Sequence, residues 1–262
     1  MNDVTPSPYE RLDLSGRTLI VTGAARGIGA ATARLLSARG ANVVLADALA
    51  DEVREVADSI SSTGAAAIAH PVDVRDEQQV ADLVARAVDE FGSLNGAFNN
   101  AGISSDVKAP MAQVDAAAWD RMFDINSGGV FLCMKHEIAA MLDHGGGAIV
   151  NTASAAGLIA MPNTSAYVAS KHAVIGATRA AALDYATSNI RVNAIAPGVI
   201  QTPMADKAMQ DPRIAELISG VHPIGRWGEA HEIAEAAAFL LAEASSFITG
   251  TTVVVDGGWT MV

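Results

Sequence analysis

The chain has 262 residues, half of them hydrophobic and few of those aromatic, enough for one large layered α/β core or two smaller ones. A formal charge of −12, with only 17 scattered Lys and Arg residues, argues against a nucleic-acid partner. The single cysteine, Cys133, excludes an intrachain disulfide and reads as a small buried hydrophobe rather than a reactive thiol.

The opening segment, MNDVTPSPYERLDLSG, lacks the basic-then-apolar pattern of a signal peptide, and no apolar stretch reaches the roughly 18 residues of a membrane span. These features predict a soluble cytoplasmic protein with a loose arm over residues 1–14. From Arg17 onward, short β-branched runs alternate with Ala-rich stretches of helical period, the pattern of parallel strands joined by crossover helices. Strands are predicted at 17–22, 41–47, 65–71, 94–100, 148–154, 190–197 and 251–257. Helices fit between them at about 27–39, 51–62, 76–91, 115–142, 164–186 and 229–242, with Gly40, Gly64 and Gly92 placed to end the first three. No linker or repeat interrupts the alternation. A single α/β domain over 15–262 follows, a doubly wound seven-stranded parallel sheet with helices on both faces. Residues 202–226, with Pro203, Pro212 and Pro223, break the rhythm and read as an insertion near the site, a candidate lid.

The first strand runs straight through TGAARGIG, Thr22–Gly29, into a helix. That placement lets backbone N–H groups and the positive helix end meet a pyrophosphate, while Gly29 lets helix and strand approach closely. The turn offers Gly23, Arg26, Gly27, Ile28 and Gly29 to a dinucleotide. Asp47 closes the second strand, where an acid accepts hydrogen bonds from the adenosine ribose and repels a 2′-phosphate, which points to NAD. Arg26 argues the other way, since a cation in the turn could pair with that phosphate. Asp73 and Val74 end the third strand within reach of an adenine, although Asp73 could instead cap the helix starting near Asp76. Asn99–Gly102, the NNAG stretch, ends the fourth strand and brings Asn100, Ala101 and Gly102 to the same edge.

Tyr167 and Lys171 in SAYVASK are four apart on a predicted helix and so share a face. A phenol of ordinary pKa near 10 is a poor base at neutral pH, and a cation within about 4–6 Å favours its phenolate. Ser154, 13 residues earlier, sits just past the fifth strand, where its hydroxyl can steady a substrate oxygen while Tyr167 exchanges the proton. Alone, the Tyr–Lys pair could be a surface pair. Beside the glycine turn it reads as catalytic.

Taken together, TGAARGIG, NNAG, a serine 13 residues before YVASK, PG at 197–198 with Thr202 beyond it, and VDGG at 255–258 resemble the short-chain dehydrogenases/reductases, from about residue 15 to the C-terminus. The resemblance implies the Rossmann fold. It implies Tyr167 as acid/base, Ser154 as the residue orienting the reacting oxygen, and Lys171 as the group that lowers the tyrosine pKa and holds the nicotinamide ribose. It also implies Asn126 as holder of a relay water, a position that would otherwise read as a helix irregularity beside Gly128 and Gly129. Pro197, Gly198, Ile200 and Thr202 become ligands of the nicotinamide end, where a plain turn is the alternative. A dimer or tetramer is the family expectation.

The two HE dipeptides, at His136 and His231, lack the second histidine of a zinc helix, so no metal site is expected. Ser154 has no nucleophile elbow. The reading is an NAD(H)-dependent enzyme interconverting a secondary alcohol and a ketone, with an NADPH-dependent 3-oxoacyl reductase or a non-catalytic NAD-sensing module as alternatives. The pocket candidates are Ile103, Ser104, Ala155, Leu158, Met161, Met204, Met209, Leu217 and Trp227, with His222 as a further possible substrate contact. This apolar set is compatible with a cyclic alcohol.

Overall fold

Strands that are apolar at nearly every position must be covered on both faces, and the chain meets that demand with helices above and below one parallel sheet. The computed structural model describes residues 10–104, 108–206, 210 and 212–262. The sheet contains β1 (Thr18–Thr22), β2 (Asn42–Asp47), β3 (Ala67–Pro71), β4 (Gly96–Asn99), β5 (Gly147–Thr152), β6 (Ile190–Pro197) and, numbered last, β9 (Thr252–Val255). Their order is β3-β2-β1-β4-β5-β6-β9, all parallel. The order reverses between β1 and β4, where Ile20 faces Val44 on one side and Ala97 on the other. A crevice opens at the carboxyl ends of strands at such a point.

Alternate strand residues feed two cores. Leu19, Val21, Val43, Leu45 and Phe98 pack with Leu36 of α1 (Gly27–Ala38), Val53 of α2 (Ala50–Ser61) and Leu241 of the last helix, α8 (Ala230–Leu241). On the opposite face, Ile20, Val44, Ala97 and Ile149 meet Leu83 of α3 (Glu77–Phe91), Met141 of α5 (Gly129–Asp143) and Val174 of α6 (Ser165–Tyr185). Each such fully buried aliphatic stabilises the fold by about 1.5–3 kcal/mol before entropy is charged against it. Gly40, Gly64 and Gly92 follow α1, α2 and α3 at left-handed φ, and Asp76 caps α3 through Gln78 and Gln79 N–H.

The structure departs from the expected elements in three places. The helix expected over 115–142 is α4 (Ala116–Phe123), a turn of π-helix at Asp124–Gly128, then α5. Within the expected insertion lie a short 3-10 turn at Pro203–Ala205 and α7 (Pro212–Val221), and after it a two-residue strand, β8 (Gly228–Glu229), pairs with β7 (Ile200–Gln201). Of the expected arm, residues 10–12 form a 3-10 turn and Leu14 is fully buried, while residues 1–9 lie outside the described residues. No helix among the described residues is long and apolar enough to cross a membrane.

Candidate active site

The glycine turn between β1 and α1 is built by exclusion of side chains. Gly23 has φ +65° and Gly27 φ +53°, and a Cβ at Gly29 would lie 2.0 Å from the Gly23 carbonyl oxygen. Gly29→Ala is therefore expected to lower the unfolding temperature, costing on the order of 2 kcal/mol through backbone displacement, as read by thermal denaturation. The N-terminus of α1 has no side-chain cap and no acid in its first turn. A helix start without a side-chain cap, a positive helix end and glycines at 23, 27 and 29 fit a pyrophosphate.

The ends of β1 and β4 are tied together. Thr22 Oγ1 accepts from the N–H groups of Asn100 (2.9 Å) and Ala101 (3.1 Å). The Asn100 side chain donates back to the carbonyls of Thr22 (3.2 Å) and Gly23 (3.3 Å), so it braces the turn from within. Gly102 borders two of the candidate catalytic residues instead: a Cβ there would stand 3.1 Å from Asn126 Oδ1 and 3.5 Å from Lys171 Nζ. Val74 is buried beneath Gly129 of α5, and Ile28 is half-buried in the first turn of α1.

The charged residues at this edge are already paired. The Asp47 carboxylate accepts from Ala25 N–H in the glycine turn and from Leu49 N–H, each at 3.0 Å. Arg26 forms a two-pronged ion pair with Glu52 of α2, which raises the guanidinium pKa. Glu52 was not singled out in the sequence, because nothing in its spacing ties a first-turn acid of α2 to the glycine turn. Asp73 lies two residues past the end of β3 and is gripped by Arg75, whose side chain holds its carboxyl below the usual range. Asp76, not Asp73, caps α3.

The β5 edge carries the candidate catalytic groups. Ser154 leaves β5 in extended conformation and accepts from Ala156 N–H at 3.1 Å, opening a 3-10 turn at Ala155–Gly157. Tyr167 and Lys171 lie one turn apart on α6. Lys171 Nζ donates to the Thr152 carbonyl at 2.8 Å and stands 5.8 Å from the centre of the Tyr167 ring. Thr152 is a ligand the sequence did not reveal, since it acts through its backbone.

Electrostatically, the pair differs from the expectation that Lys171 lowers the tyrosine pKa. Burial raises the phenol, and a hydrogen bond with Ser154 opposes the rise. Burial also pulls Lys171 down to about 8. The cation is weakened by the same low-dielectric surroundings that penalise the phenolate, and it is anchored on a carbonyl.

Asn126 occupies the π-turn and is fully buried. Its Oδ1 accepts from Ile103 N–H at 2.8 Å, and its Nδ2 donates to Ile103 O at 3.0 Å and Ser170 Oγ at 3.2 Å. The side chain thus clamps the segment after Gly102 against α6. The extra residue of the π-turn frees this geometry, consistent with such turns marking functional positions.

The loop after β6 completes the cleft. Pro197 ends the strand, and Gly198 has no room for a Cβ, which would lie 2.8 Å from His222 Nε2. Ile200 is buried, and Thr202 reaches across to the glycine turn, its Cγ2 lying 3.0 Å from where a Gly27 Cβ would be. Among the pocket candidates, Ile103 and Met161 are half-buried and Leu158 and Met204 exposed, whereas Ala155 and Trp227 are buried. Met209 and the Leu217 side chain lie outside the described residues. Among the described residues no group of three or more His, Cys, Asp or Glu could hold a metal ion.

The protein-family model described as Enoyl-(Acyl carrier protein) reductase matches residues 23–260. The 2,5-dichloro-2,5-cyclohexadiene-1,4-diol dehydrogenase of Sphingobium indicum is 47% identical over 252 residues, covering 95% of this chain and 99% of its own length. The cyclohexanol dehydrogenase of an Acinetobacter species is 43% identical over 246 residues, covering 94% and 96%. Among solved structures, gluconate 5-dehydrogenase from Burkholderia cenocepacia in complex with NADP and tartrate is similar at a TM-score of 0.93 and 32% identity, over 98% of this chain and all of that one.

Proposed function

Because the chain belongs to the short-chain dehydrogenase/reductase family, we propose that it is an NAD(H)-dependent enzyme interconverting a cyclic secondary alcohol and its ketone. The observation that carries the reading is the gathering of Ser154, Tyr167 and Lys171 at the carboxyl edge of β5, with Lys171 Nζ fixed 5.8 Å from the tyrosine ring. The dinucleotide, when bound, supplies the hydride acceptor or donor. Gly23, Arg26, Gly27, Ile28 and Gly29 would hold its pyrophosphate, and Asp47, Asp73, Val74, Asn100 and Ala101 its adenosine half. Gly102, Tyr167, Lys171, Pro197, Gly198, Ile200 and Thr202 would surround its nicotinamide half.

In oxidation Tyr167, as its phenolate, takes the alcohol proton, with Ser154 steadying the oxygen that carries it; in reduction the protonated phenol donates to the ketone oxygen. Asn126, which the family resemblance implies holds a relay water, also fixes the backbone at Ile103, next to Gly102. Half-buried Ile103 and Met161, with Leu158 and Met204 at the rim, suit an apolar ring, and the names of the two dehydrogenase relatives point to the same class of substrate. The test is a panel of cyclic alcohols followed at the reduced-nicotinamide absorbance band. NADH binding without turnover across that panel would favour a sensing module over an enzyme.

NAD is the cofactor we infer, because two carboxylates, Asp47 and Glu52, hold the glycine turn and its only cation. Asp47 is fixed on Ala25 N–H, and Arg26, the cation that could have received a 2′-phosphate, is engaged by Glu52. The kcat/KM for NAD is expected to exceed that for NADP by about tenfold or more, worth about 1.4 kcal/mol, and Asp47→Ala should erase the margin. A tenfold preference for NADPH would instead support the 3-oxoacyl reductase reading, and the NADP-bound relative shows that the same fold accommodates that cofactor. The reading includes a cytoplasmic setting and a homo-oligomer, dimer or tetramer. Exposed Phe131 and Leu183 on α5 and α6 support the latter, and a native mass measurement tests it.

A further inference from the structure

His222 was a candidate substrate contact, yet its ring is buried at 2% exposure and both nitrogens are committed within the chain. Nδ1 lies 2.7 Å from the Ile218 carbonyl and Nε2 lies 3.1 Å from Val199 N–H. A carbonyl can only accept and an amide N–H can only donate, so the ring is neutral, with its proton on Nδ1 and an acceptor at Nε2. Ile218 belongs to α7, and Val199 sits between Gly198 and Ile200, two of the residues assigned above to the nicotinamide end. Trp259 packs against the imidazole with ring centres 5.4 Å apart. A Cβ at Gly198 would fall 2.8 Å from Nε2, so glycine there is a condition of the contact.

We infer that His222 is a positioning residue: by accepting from Val199 N–H it sets the backbone that receives the nicotinamide and couples that backbone to α7. The inference rests on the dinucleotide site proposed above. It predicts a selective defect, because the adenosine half of the ligand is held at the other end of the cleft, by residues His222 does not touch.

Three substitutions separate the contacts. His222→Gln can place an amide oxygen near the Nε2 position and keep the acceptor for Val199. His222→Asn can keep a donor near Nδ1 for Ile218 but leaves Val199 N–H unpaired, and His222→Phe removes both while filling the space beside Trp259. Binding of NADH and of ADP-ribose, which lacks the nicotinamide, is measured by calorimetry on the full chain. For Asn and Phe the NADH Kd is expected to rise about tenfold, as for an orphaned buried donor, with ADP-ribose affinity within about twofold of wild type. Gln is expected to stay within about threefold for both ligands.

Parallel loss of both ligands, or equal defects in Gln and Asn, would overturn the inference and leave His222 as packing. Where a variant does not fold, nitrogen-15 NMR of the wild-type ring decides. The inference requires the Nδ1–H tautomer and a shift on adding NADH but not ADP-ribose, and any other tautomer overturns it. The binding split in the variants, together with a wild type that turns over no alcohol, would keep this role for His222 while removing the catalytic reading. Turnover without the split would do the reverse, and wild type that binds neither nucleotide would remove both.

Discussion

Tyr167→Phe is expected to lower kcat for a cyclic alcohol by about 10³-fold or more, the scale of a lost general acid/base, with NADH affinity changed by less than about threefold. The substitution removes one oxygen and leaves the ring, so the packing of α6 beside Lys171 Nζ is retained. What disappears is the hydroxyl that the proposed mechanism uses as acid and base. Because that hydroxyl acts in the transition state rather than in cofactor binding, kcat and kcat/KM should fall together. Stopped-flow or steady-state rates alongside NADH titration check both halves, and near-normal turnover in the variant would remove Tyr167 from the mechanism.

The same residue shows how far the sequence could be read. Seven parallel strands and the placing of the glycine turn, Ser154 and the Tyr–Lys turn at one sheet edge all follow from hydrophobic period and spacing, because those signals are local. The sign of the electrostatics was not legible. A lysine four residues from a tyrosine implies a depressed phenol only where its charge outweighs desolvation, and here burial raises the Tyr167 phenol and also lowers Lys171. Long-range partners were equally hidden. Glu52 neutralises Arg26 across two elements, Thr152 holds Lys171 through a backbone carbonyl, and His222 serves the β6 loop from a helix end. None of these leaves a trace in local spacing. The π-turn at Asp124–Gly128 was visible only as an irregularity around Asn126, since a one-residue insertion in a helical register does not disturb composition.

Glu137 entered the sequence reading only as half of an HE dipeptide, yet its burial makes stability depend on pH. It lies on α5 with 1% exposure and accepts from Asn99 Nδ2 at 2.9 Å, while the same nitrogen reaches Asn151 Oδ1 at 3.1 Å. Asn151 in turn donates to Thr178 Oγ1. Burial raises the carboxyl from its ordinary value to about 8, opposed only by the Asn99 hydrogen bond. The folded protein therefore keeps this proton through a range in which the unfolded chain has lost it. The stabilising effect of the neutral acid is complete below the ordinary carboxyl pKa of about 4.3 and is lost as pH rises towards 8, at about 1.4 kcal/mol per unit at most.

Glu137→Gln cannot ionise, and its amide can offer a donor to Asn99 Oδ1, which has no hydrogen-bond partner. The variant and wild type should be similarly stable near pH 4.5. At pH 8 the variant should be more stable by on the order of 5 kcal/mol, or about ten degrees or more in Tm. Urea or thermal unfolding of both proteins across that range measures the difference. A gap that does not widen with pH would mean that Glu137 is already ionised in the folded core. A widening gap would show that the ends of β4 and β5, directly beneath Asn100 and the Thr152 carbonyl that holds Lys171, rest on a carboxyl kept in its acid form.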